Sequence, residues 1–98
     1  MAKVTFVDET TSGARTEAGG LSVAEERLAL RELIRRRVEQ EAAPEESERE
    51  FARAVESFGR NGFLVLVGDR QIEDLDETVE LGPDTEVTFL KLVPLVGG

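Results

Sequence analysis

Phe63-Leu64-Val65-Leu66-Val67-Gly68-Asp69-Arg70-Gln71-Ile72-Glu73-Asp74 is the stretch on which the fold turns. Its first five residues are the most apolar run in the chain and predict a strand buried on both faces. Gly68-Asp69 is turn chemistry, and Gln71-Ile72 after it predicts a short strand. Downstream, residues 73–81 are acidic, with Leu75, Val79 and Leu81 placed to pin a loop onto a core. Gly82-Pro83-Asp84 is a further turn. Residues 86–93 then read as a strand, with Val87, Phe89 and Val93 on one face and Leu90 and Leu92 on the other. Pro94 cannot donate to a sheet ladder and marks the point where that strand leaves the sheet. Leu95-Val96-Gly97-Gly98 remains as a flexible tail, residues 95–98, beyond a single domain of residues 1–94.

Upstream of Phe63 the period changes from two to three and four. Phe51, Ala54, Val55 and Phe58 recur at helical spacing, and Pro44 with Glu45 and Glu46 suits a first helical turn. A helix around residues 44–58 is therefore expected, ended by Gly59 or by Asn61-Gly62. Leu30, Leu33, Ile34 and Val38 lay one apolar stripe along an earlier helix. Residues 3–8, with Val4, Phe6 and Val7, predict a first strand. Ser12-Gly13 turns the chain into a weaker strand over residues 16–23, which Gly19-Gly20 interrupts with a bulge or an irregular hairpin. Hairpin, helix, second helix and further strands make an α+β mixed sheet with a helix on one face.

Composition removes most catalytic chemistry. The chain has 98 residues, enough for one modest core, and no Cys, His, Tyr or Trp. No disulfide, thiolate metal site, cysteine nucleophile or histidine base can be assembled, and Ser-His-Asp hydrolysis is excluded. Carboxylates alone are left, and no two of them are placed in a recognisable pocket, so no enzyme is expected. No cofactor is implied. The acids Asp69, Glu73, Asp74, Asp76 and Glu77 lack the Gly and the regular spacing of a calcium loop and read as a solvated acidic loop.

Twenty-one acids against twelve bases give a formal net charge of −9, which repels a phosphate backbone and argues against nucleic acid. The one basic cluster, Arg35-Arg36-Arg37, reads as the solvated face of a helix. No apolar stretch approaches the roughly 20 residues of a membrane span, and the N-terminus enters a strand pattern at once, without a signal-peptide core. A cytoplasmic protein without membrane partners is the expectation. Lys3 and Lys91 are the only lysines, so chains built by lysine linkage have few attachment points.

From Phe63 to Gly98 the layout resembles the ubiquitin-like family. In that family an apolar strand, a Gly-containing turn and a short Gln-Leu-Glu-Asp strand precede an acidic loop, a last strand and a terminal diglycine. Residues 3–8 and the helix from Leu30 fit the first strand and central helix of the same β-grasp fold. The apolar Leu92-Val93-Pro94-Leu95-Val96-Gly97-Gly98 looks like the tails of the sulfur carriers of thiamin and molybdopterin synthesis, and the arginines before ubiquitin's diglycine are missing. Residues 42–58 are an insertion relative to ubiquitin.

The resemblance implies a protein modifier or sulfur carrier activated at Gly97-Gly98. Its partner would be an adenylating (activating) enzyme, with conjugation targets or a sulfur-relay enzyme after it. At an average glycine content of about 7% a terminal Gly-Gly arises by chance roughly once in two hundred chains; the strand before it gives it weight. A sheet with a helix on one side leaves its other face open. Leu64, Leu66, Leu90 and Leu92, with Leu95 and Val96, would then offer an apolar surface to a partner. Alternatively the helix bearing Phe51, Val55 and Phe58 covers that face or extends the core. An interaction module that never uses its tail is the rival function.

Overall fold

The computed structural model describes residues 1–92; Val93, Pro94 and the whole 95–98 segment lie outside the described residues. The elements are β1 (Ala2–Thr10), β2 (Arg15–Val23), β3 (Arg27–Ala29), α1 (Leu30–Glu41), α2 (Ser47–Gly59), β4 (Phe63–Val67), β5 (Arg70–Ile72), β6 (Thr78–Glu80) and β7 (Thr85–Lys91). The architecture is α+β. Five strands form a mixed sheet in the order β2-β1-β7-β4-β5, with β1 and β7 parallel at its centre and the other pairs antiparallel. No helix among the described residues is long and apolar enough to cross a membrane.

Alternation along the central strands sorts the residues. Val4 and Phe6 of β1, Val65 of β4 and Val87 of β7 are fully buried, and α1 lays Leu30, Leu33 and Ile34 over them. Each such aliphatic or aromatic side chain contributes about 1.5–3 kcal/mol by leaving water. Helix α2 lies on the same side. Phe51 closes the cluster, Phe58 meets Phe63 at 5.8 Å between ring centres with the rings tilted by 55°, and Phe63 meets Phe89 edge-on at 5.9 Å. Helix α2 extends the core; it does not cover the sheet's second face.

Several expectations about the elements change, among them the end of the last strand, which stops at Lys91 and not at residue 93. The segment Phe63–Val67 is buried on one face only: Val65 is fully covered, while Leu64 and Leu66 are half-buried on the other side. Both helices stack on the Val65 side, and apolar content alone does not reveal that. Helix α2 begins at Ser47, three residues later than Pro44; residues 44–46 form a turn in which the Ser47 hydroxyl donates to the Pro44 carbonyl. Residues 78–80 are strand rather than loop, paired with β3 in a separate two-stranded sheet.

Two backbone details serve the packing. Between Thr5 and Val7 the β1–β2 register shifts, and Gly19 takes φ +110° in that bulge. The extra residue turns β2 over. Leu21 and Val23 thus face the helices, whereas Glu17 and Arg15 face the other way, opposite Val7 and Glu9. At the end of α2, Asn61 adopts φ 60° and the Gly62 amide donates back to the Ser57 carbonyl at 2.8 Å. This is a left-handed helix stop with asparagine in the glycine-favoured position.

Candidate functional site

The open side of the sheet carries the residues expected to meet a partner. Leu64 on β4 and Leu90 on β7 are directly opposite, and Leu66 lies opposite Thr88. All three leucines are half-buried, and Leu92, just past β7, is 40% exposed. The structure brings Leu64, Leu66 and Leu90 together as one apolar strip across two antiparallel strands, with Leu92 following Leu90 at the end of β7. Leu95, Val96, Gly97 and Gly98, the rest of the expected site, lie outside the described residues.

Beside that strip the same face becomes charged. Arg15 of β2 donates to Glu9 of β1 at 3.3 Å and to Glu86 of β7 at 2.5 Å. These hydrogen bonds, Glu86 first, hold the Arg15 guanidinium more firmly protonated than usual. Val7 and Thr88 lie between the two acids and are buried, although both helices are on the opposite side.

On the helix side, a groove of about 660 Å³ opens between α1, α2 and the ends of β4 and β7. Ile34, Val38, Ala54, Phe63 and Phe89 line its apolar part. Lys91 stands at its rim, at the point where β7 ends. Arg37 projects from α1 into the same region and is 13% exposed. Its two terminal nitrogens donate to the two Asp8 oxygens, Nε donates to Glu41, and the guanidinium lies 5.2 Å from the Phe89 ring centre. The Asp8 hydrogen bonds outweigh burial and raise the Arg37 pKa well above its usual value. The same bonds, helped by the charges of Arg37 and Lys91, lower that of Asp8.

The basic run is thus not a solvated face. Arg35 stacks on Phe51 at 4.0 Å and pairs with Glu48, while Arg36 pairs with Glu32 and Glu25. At 3.6 residues per turn Arg37 falls three residues after Ile34 and four after Leu33, on the face that those two bury. Asp8, two residues after the core residue Phe6 of β1, gave no signal of its own in the sequence.

The acidic segment has a structural use. The carbonyls of Leu75 and Glu77 accept the Arg31 and Leu30 amides, so two N–H groups at the start of α1 are satisfied by tertiary contacts. Helix α1 has no side-chain cap, and none was needed. Asp76 pairs with Arg31 and Glu77 with Arg70. Leu75 packs against the core, and Val79 and Leu81 are buried in it, with Val79 held in strand β6 and not in the expected loop.

Comparison of the chain with protein-family models, curated proteins and solved structures returned no match. Functional assignment therefore rests on the residues themselves.

Proposed function

We propose that the chain is a ubiquitin-like carrier or modifier of the β-grasp type, activated at the Gly98 carboxylate with Gly97 as its required neighbour. One observation supports this above the rest. The sheet order β2-β1-β7-β4-β5, with parallel β1 and β7 at its centre and α1 packed on one face, is compatible with a β-grasp. Strand β7 of this order ends at Lys91, from which the sequence runs on to Gly97-Gly98.

The chemistry asks little of the carrier. A Gly98 carboxylate oxygen attacks the α-phosphorus of ATP on the activating enzyme, pyrophosphate leaves, and an acyl-adenylate forms. A thiolate or a sulfur donor then attacks the carbonyl carbon and AMP departs. Residues without a Cβ pass a narrow channel and adopt extended angles closed to others, which is the use of two terminal glycines. No acid or base is required of the carrier, in keeping with a chain that has no His and no Cys.

The test incubates the protein with ATP and an adenylating enzyme from the same genome and reads intact mass. An adenylate, thioester or thiocarboxylate at Gly98 is expected, and none in a chain ending at Gly97. A second reading, an interaction module that docks through its sheet, is favoured by the Leu64–Leu90 pairing on the open face. It predicts full function after Gly98 is removed.

A further inference from the structure

Arg15 and Glu86 lie two strands apart and in different rows of the open sheet face. Arg15 is opposite Glu9, and Glu9 is beside Leu90; Glu86 is beside Thr5. Between these rows lies the row of Glu17, Val7, Thr88 and Leu66. Four residues of strand, about 13 Å, separate Leu90 from Glu86. A hydrogen bond of 2.5 Å between the two side chains requires both to extend toward each other over the middle row. The residues beneath, Val7 and Thr88, are 3% and 6% exposed, whereas Leu66 in the same row is only half-buried. Both helices pack on the other face, so neither accounts for that burial.

We propose that Arg15 is an ionic strap across β2, β1 and β7, and that its release uncovers Val7 and Thr88 and widens the apolar strip of Leu64, Leu66 and Leu90. The closed strap confines apolar contact to β4 and β7. Opened by screening salt, or by an anionic group that takes Arg15 from Glu86, it extends the apolar surface across the central strand. An exposed ion pair is held weakly enough to be exchanged in this way. The inference stands on the sheet face alone and does not depend on activation of the tail.

The experiment uses methyl-labelled protein and a neutral, soluble gadolinium chelate, which enhances the relaxation of solvent-accessible methyl groups. In wild type at low salt the Val7 methyls should be shielded and the Leu64 and Leu66 methyls enhanced. Arg15→Ala and Glu86→Gln should each raise the Val7 enhancement at least about twofold and leave Val65 unchanged, since an exposed pair contributes little to stability and its loss leaves the fold intact. Wild type in about 1 M salt, where the Debye length is about 3 Å, should move the same way and serves if a variant fails to fold. A Val7 signal unchanged in a folded variant, or in salt when neither variant folds, overturns the proposal.

Discussion

Arg37 grips Asp8 through two parallel hydrogen bonds, Nη1 to Oδ1 at 2.9 Å and Nη2 to Oδ2 at 2.7 Å, joining α1 to the far end of β1. The pair is half-buried against Phe6 and Phe89, so each charge is costly to leave alone. Asp8→Asn should destabilise the fold by about 2 kcal/mol at neutral pH, in the range for hydrogen bonds to charged groups. Urea unfolding midpoints check it.

Acid should dissolve the same contact. The Arg37 hydrogen bonds hold the Asp8 carboxyl below its usual 3.8. A carboxylate with a lowered native pKa contributes its full stability above that usual value and loses it as pH falls through the lower one. Wild type should therefore lose stability more steeply than Asp8→Asn below about pH 4. The two denaturation curves should converge once the pH has fallen below the lowered native pKa of Asp8.

Gly62 is held by its neighbours rather than by its own dihedrals. A Cβ there would sit 2.3 Å from the Ser57 hydroxyl oxygen and 3.2 Å from the Ser57 carbonyl oxygen. Gly62→Ala should cost about 1–3 kcal/mol as an overpacking change, read by thermal or urea melts. Asn61→Gly, at φ 60°, should be neutral or slightly stabilising in the same assay.

The two faces of β4 should respond differently to substitution. Val65→Ala removes a fully buried side chain and should cost about 2 kcal/mol. Leu64→Ser and Leu66→Ser, on the open face, should cost about 1 kcal/mol or less. They should weaken partner capture more than they weaken the fold, and binding measured beside stability separates the two effects.

Most of the framework was legible because apolar spacing states it directly. The stripe Leu30, Leu33, Ile34, Val38, the repeat Phe51, Ala54, Val55, Phe58 and the run Phe63–Val67 each name their element. What stayed hidden depends on contacts between distant segments. Which side α2 takes is decided by Phe58 meeting Phe63, and the cap on α1 comes from carbonyls of Leu75 and Glu77. Asp8 with Arg37 is set by how α1 docks on β1, and Arg15 with Glu86 by the β1–β7 register and the Gly19 bulge, none of which leaves a periodic trace. Of the candidate site, the leucines of β4 and β7 could be read from alternation, but whether their face stayed open could not.

The most direct test of the carrier account is mass spectrometry of the chain recovered from its native cell after trypsin, which cuts behind Lys91. The account predicts that Leu92-Val93-Pro94-Leu95-Val96-Gly97-Gly98 is found in part with Gly98 as a thiocarboxylate, or joined through Gly98 to lysine side chains of other proteins. Recovery of that peptide solely with a free Gly98 carboxylate, under conditions where the protein is working, would contradict it.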